Sequence, residues 1–317
     1  MLNKSLLILA TLTVSSCVLP PGDITDPHYW GDYFLAKYAT ERADAVDNIE
    51  PGPPPLVHKR TVLLITGVTI PAEWFDPIVL RLQRDGFNPV VYEPPDLLSG
   101  DLFDNAERLA DVVEQVQADS GQDKIDILAE CTGGLIARYY IQSLGGDQHV
   151  SRLVTFISPQ HGVDKAPLAA SIAGWTALDD LTPGSAFLHA VNDAPLPDDV
   201  AVTSIYSCTD EYIQPFTTSI IPGAHNIELC DGYIGHFRFF YDPDIYLIMH
   251  DALIDGVDDS DPADPGTTDP GTTDPSDPMA EPQPDGVGCS TGRGSSGGSA
   301  SLMLLGLLAV TRRRSRG

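Results

Sequence analysis

Basic residues are scarce in this 317-residue chain: 18 Lys and Arg stand against 45 Asp and Glu, a formal net charge of −27. Such a surface repels a phosphate backbone instead of neutralising it, which argues against a nucleic-acid partner. Much of that charge sits in one tail, so it says little about a site. Cysteine is also sparse, with five residues and no Cys-x-x-Cys pair or His/Cys cluster of zinc spacing. No metal and no cofactor is therefore expected. Long apolar runs are missing too: Leu6–Val14 and Leu302–Val310 both fall short of the ~20 residues a spanning helix needs. What is present suffices for a core, since 42% of the residues are hydrophobic. The length accommodates one domain of about 200–250 residues plus additional segments.

Those segments differ sharply in composition. Lys4, the short apolar run and Val14-Ser15-Ser16-Cys17 resemble a bacterial export signal with a lipobox, in which the peptide is cut before a lipid-modified Cys17. Residues 1–17 are therefore set apart from the fold. Residues 18–57 read as a spacer, in which Tyr29 to Val46 has the pattern of an amphipathic helix. Pro51-Gly52-Pro53-Pro54-Pro55 prevents that helix from continuing into the domain. The domain itself is expected over 58–253. Residues 254–285 form an acidic linker of Asp, Pro, Thr and Gly, with Asp-Pro-Gly-Thr-Thr at 264 and again at 269. It has too few apolar groups to fold. Residues 286–317 carry Gly288-Cys289, a short apolar run and Arg312-Arg-Arg-Ser-Arg316. This tail resembles the myxobacterial C-terminal sorting signal, which implies processing at Cys289. The expected location is exported, at the outer membrane or cell surface or secreted, with a lipid anchor or the C-terminal signal as the membrane attachment.

Within the domain the apolar pattern alternates between strand and helix. Thr61–Ile65, Asn88–Tyr92, Ile125–Leu128, Leu153–Ile157 and Val202–Tyr206 read as strands. Glu73–Arg84, Leu102–Ala118 and Leu135–Leu144 read as helices. That alternation predicts an α/β fold with a mostly parallel central sheet covered by helices on both faces. In such sheets ligands bind beyond the carboxyl ends of the strands. The stretch Ala129-Glu130-Cys131-Thr132-Gly133 lies at one such end, between a strand and a helix. It has the layout of the nucleophile elbow G-x-S-x-G of the α/β-hydrolase fold, with Ala for the first glycine and Cys for the serine. Read without other context, the same stretch suits a plain βα turn with a buried structural cysteine equally well.

Further motifs follow in order. Ile125 to Gly134, Val154 to Gly162, Leu181 to Leu188, Thr203 to Asp210, Gly235-His236-Phe237 and Tyr241-Asp242-Pro243 together resemble the bacterial extracellular (class 2) lipases of the α/β-hydrolase superfamily. The resemblance covers about residues 61–253. It implies a nucleophile, acid and base in that chain order, on Cys131, Asp210 and His236. It also implies an oxyanion hole from the backbone N–H groups of Val68 and Thr132, although the family usually has His-Gly where this chain has Thr66-Gly67. Asp210 has the competing reading of a solvated loop carboxylate beside Glu211. His161 lies in a family motif but precedes the acid, which suits a structural place near the pocket mouth.

With Cys17 and Cys289 assigned to the terminal signals, Cys208 and Cys230 are expected to form a disulfide pinning the acid and base loops in an exported protein. Cys131 is left over. A helix N-terminus and a nearby imidazolium both favour thiolate, so its pKa is expected below the ~8.5 of a free cysteine. Two function classes remain. One is a lipase- or esterase-like hydrolase of small-molecule or lipid esters, carboxylic or thio-, working through an acyl-cysteine. The dienelactone hydrolases give a precedent for cysteine in this elbow, and an acyltransferase is a variant of the same class. The other is a catalytically inactive binding protein that keeps the lipase fold.

Overall fold

The computed structural model describes residues 19–255. Residues 1–17, with Cys17, lie outside them, as do Cys289, all but the first two residues of the expected linker, and the expected sorting signal.

Six parallel strands form one sheet: β1 Thr61–Ile65, β2 Asn88–Tyr92, β3 Ile125–Glu130, β4 Val150–Phe156, β5 Ala201–Ser207 and β6 His225–Leu229. Their order is β2-β1-β3-β4-β5-β6. The chain winds one way from β1 to β2, then crosses to β3 and winds the other way. The point of reversal therefore lies between β1 and β3, where doubly wound sheets open a crevice at the strands' carboxyl ends. β1, β3 and β4 are buried along their whole lengths, as expected of central parallel strands covered on both faces. The edge strands β2 and β6 are more exposed.

Ten α-helices accompany the sheet among the described residues: α1 Pro27–Lys37, α2 Ala39–Asp47, α3 Asp76–Arg84, α4 Leu102–Ser120, α5 Thr132–Ser143, α6 Ala166–Ala173, α7 Thr176–Asp180, α8 Ala186–Asp193, α9 Arg238–Tyr241 and α10 Pro243–Ile254. α4 shows how sequence sets such an element. Leu102, Ala106, Leu109, Val113 and Val116 recur at helical spacing and are buried, while Asp101 caps the start by accepting from the Phe103 and Asp104 N–H groups. Gly121 ends it in the left-handed region at φ 69°. Together with α5, this face packs on Leu63, Ile127 and Ala129 of the sheet. Asp126, a charged residue inside β3, is matched by Arg60 at 2.8 Å.

The expected spacer needs correction. Residues 27–47 form two helices, not one, with the break at Tyr38. They pack on the α/β domain: Trp30 and Phe34 are buried, Phe34 and Tyr38 each lie 4.7 Å from Phe237, and the Trp175 indole donates to the Thr25 carbonyl at 2.7 Å. Bulky aromatics that find an apolar partner bury large areas, and this outweighs the polar composition of the surrounding segment.

Candidate active site

The site is built at the carboxyl ends of β3, β5 and β6. Cys131 follows β3 and directly precedes α5, with φ 47° and ψ −120°. A non-glycine residue in that region is strained by about 1–3 kcal/mol, and the surrounding structure must hold it there. Its N–H donates to the Phe156 carbonyl at 3.0 Å, extending the β3–β4 ladder by one residue. Its carbonyl accepts from the Gly134 N–H at 3.1 Å and from the Ser158 hydroxyl. Space decides the neighbours. A Cβ on Gly133 would meet the Thr66 carbonyl at 2.7 Å, and one on Gly67 would run into the Glu130 carboxylate and lie 2.8 Å from the Cys131 Cβ. Only glycine allows these backbones to approach so closely.

Asp210 sits three residues beyond β5. Its Oδ1 accepts from the Tyr212 and Ile213 N–H groups at 2.7 and 2.9 Å, which leaves Oδ2 for His236 Nδ1 at 2.8 Å. It is buried, so the reading of a solvated loop carboxylate does not hold. His236, in the turn after β6, is fixed on three sides. Its N–H donates to Glu211 Oε2 at 3.0 Å, and its ring packs edgewise on Tyr212 and Phe237. Cys208 and Cys230 are joined in a disulfide, with Cα atoms 5.1 Å apart. It ties the end of β5 to the end of β6, and so ties together the two loops carrying Asp210 and His236. His161 lies elsewhere, its Nε2 against the Ile220 carbonyl at 3.0 Å.

The structure thus brings Cys131, Asp210 and His236 together, with Cys131 the one free cysteine among the described residues. Thr132 opens α5, and the first N–H groups of a helix have no acceptor within it. Val68 follows Gly67 in the turn after β1, against the elbow.

One residue of the site was not singled out from the sequence. Glu130 is fully buried, its Oε2 accepting from the Gly67 N–H at 2.6 Å and its Oε1 lying 3.3 Å from His236 Nε2 without hydrogen-bond alignment. Sulfur, imidazole nitrogen and carboxylate oxygen of Cys131, His236 and Glu130 all lie within 4.8 Å of one another. The signal in the sequence is slight: a carboxylate at the end of an otherwise apolar strand, directly before the elbow.

Glu130 also changes the electrostatics. Burial pushes the Cys131 thiol above its ordinary value, and the Glu130 charge adds to this, against the opposing hydrogen bond from His236. The expected depressed thiol pKa is therefore not found: the helix end and imidazole are present, but desolvation and a neighbouring carboxylate outweigh them. Burial pushes Glu130 up as well, in spite of His236 and the Gly67 N–H. For His236, burial acts downward, yet Asp210, with Cys131 and Glu130, holds the imidazole well above its usual value.

Several known proteins are similar to this chain. A family model described as palmitoyl protein thioesterase matches residues 98–212, a stretch that includes Cys131 and Asp210 and ends before His236. Lipase B of Pseudozyma antarctica is 29% identical over 169 residues, covering 52% of this chain and 49% of that protein. The chain thus spans about half the length of the curated relative it matches. Among solved structures, a Bacillus licheniformis lipase in its mature form superposes with a TM-score of 0.52 at 18% identity, covering 64% of this chain and 96% of that one. Aspergillus fumigatus lipase B does so at 0.54 and 22%, covering 62% and 52%. At these identities the superpositions speak for the fold alone, which is the α/β-hydrolase fold.

Proposed function

We propose that this chain hydrolyses carboxylic esters or thioesters through an acyl-cysteine on Cys131. The observation that carries the reading is a buried imidazole 2.8 Å from Asp210 and grouped with the Cys131 sulfur at a strand–turn–helix elbow. His236 Nε2 takes the thiol proton as the sulfur attacks the carbonyl carbon. The oxygen then carries the negative charge, and the Thr132 and Val68 N–H groups are the donors assigned to it. The carbon–oxygen or carbon–sulfur bond to the leaving group breaks, the leaving group takes the proton from Nε2, and the acyl group stays on sulfur. Water, deprotonated by the same Nε2, attacks the acyl carbon. The acid leaves and the thiol is restored. Asp210 keeps Nδ1–H in place and stabilises the imidazolium without taking its proton.

The matched thioesterase family model and the lipase relative support an ester as substrate. Acyl transfer to an alcohol instead of water is the same chemistry with another acceptor. A lipase-fold binding protein is the competing reading, and the raised thiol pKa favours it. Turnover of p-nitrophenyl esters and acyl thioesters decides between them. The hydrolase reading expects wild-type activity that is lost in Cys131→Ala and in His236→Ala and falls strongly in Asp210→Asn. Cys131→Ser, which supplies an oxygen nucleophile to the same base, is expected to be no worse than Cys131→Ala. A wild-type chain that turns over neither substrate leaves the binding protein. Export with attachment through Cys17 or the C-terminal tail is part of the proposal, and fractionation of cells expressing the full chain tests it.

A further inference from the structure

The three groups around Cys131 form more than an acyl-transfer site. Glu130 Oε1 is buried and lies 3.3 Å from His236 Nε2 as an ion-pair contact without an aligned hydrogen bond. A buried carboxylate oxygen with no aligned donor is incompletely satisfied, which marks a place where a ligand adds much. The other two atoms within 4.8 Å are a thiol sulfur and an imidazole nitrogen. Sulfur, nitrogen and carboxylate oxygen are the donors that zinc takes, at about 2.0–2.3 Å, so that neighbouring donors of a tetrahedral ion stand roughly 3.3–3.8 Å apart. The Glu130–His236 pair already has that spacing. The outer shell fits as well. Asp210 accepts from His236 Nδ1 at 2.8 Å, fixing the ring with Nε2 facing the cluster, and the Gly67 N–H holds the far oxygen of Glu130.

We infer that Cys131, His236 and Glu130 form a three-donor site for a thiophilic divalent cation such as Zn2+, and that the bound cation blocks acyl transfer. The cation replaces the proton on the Cys131 sulfur, which leaves to solvent, and takes the free lone pair of His236 Nε2, whose ring keeps its proton on Nδ1 toward Asp210. Coordination brings two positive charges to a pocket where Glu130, Asp210 and a thiolate surround one imidazole. It also engages the sulfur lone pair that would attack an ester and the nitrogen that would accept a proton. The second set of grouped donors, Cys208, Glu228 and Cys230, offers no such site because its sulfurs are joined to each other. The blocking half of the inference rests on the hydrolase reading; the binding half does not.

Titrating the full chain with Co2+ tests it. One equivalent is expected to give a thiolate-to-cobalt charge-transfer band, absent in Cys131→Ala and in Cys131→Ser. Glu130→Gln keeps an oxygen for the Gly67 N–H but loses the charge. It is expected to weaken Co2+ by at least the about 10–100-fold typical of losing an outer-shell partner. Zn2+ should abolish the band and lower ester turnover over one concentration range. No band, a band that survives in Cys131→Ala, or equal affinity in Glu130→Gln overturns the site. A chain that binds Co2+ yet turns over no ester keeps the metal site and loses the hydrolase reading. Turnover without binding does the reverse.

Discussion

At Cys131 two tendencies compete, and the environment decides between them. The N-terminus of α5 and the imidazole favour thiolate, whereas full burial and the adjacent Glu130 favour thiol and prevail. Alkylation of Cys131 by a neutral haloacetamide should therefore be slower near neutral pH than that of a free thiol, with its rate rising only above the free-cysteine range of ~8.5. Glu130→Gln removes the neighbouring negative charge, so its alkylation limb should move to lower pH. An unmoved limb would mean that desolvation alone sets the thiol. Cys131, Asp210 and His236 were legible as residues because each lies in a short motif whose order along the chain is itself informative. The direction of the thiol pKa was not. It depends on how deeply the sulfur is buried and on where the Glu130 carboxylate turns, both products of tertiary structure.

Among the elements, the central strands were the easiest to read, because a parallel strand covered on both faces must be apolar throughout. Thr61–Ile65 falls where the pattern places it, the Ile125–Leu128 run extends two residues further, to Glu130, and even the edge strand Asn88–Tyr92 keeps its expected bounds. The exposed edge strand His225–Leu229 carries no such run. From sequence the first two helices read as a spacer holding one amphipathic helix, because their packing partners are remote in sequence. Phe34 has no local signal announcing that it meets Tyr212 and Phe237, some two hundred residues away. This contact reaches the site, since Phe237 follows His236 and packs on its ring. Phe34→Ala should accordingly cost about 3–5 kcal/mol in urea unfolding, the usual loss for a buried phenylalanine. Ester turnover should fall with it as the His236 turn loosens. A loss under about 1 kcal/mol would show that α1 rests on the domain without belonging to its core.

For the whole molecule the raised groups share one sign. Burial raises Asp126 and Glu130, His236 is raised by its carboxylate neighbours, and burial raises Cys131. A group whose folded pKa exceeds its unfolded value binds more protons in the folded chain. Its stabilisation is complete below the unfolded pKa and is lost as pH rises through the folded one. The carboxyl groups begin to lose theirs above about 4, His236 above about 6.5 and Cys131 above about 8.5. Glu50, lowered by its hydrogen bonds to Arg81 and Arg84 despite partial burial, acts in the opposite sense, but it is the more exposed group. The net charge of −27 adds self-repulsion that also grows with pH. Stability should therefore be greatest on the acidic side of neutrality and decline steadily toward alkaline pH. Urea midpoints at about pH 5.5, 7 and 8.5 check this, and Glu130→Gln, which has no buried carboxylate to ionise at that position, should show the shallower decline. Midpoints that stay level or climb between those values would show that these groups keep their unfolded affinities for protons, and the buried electrostatics described for the site would fall with them.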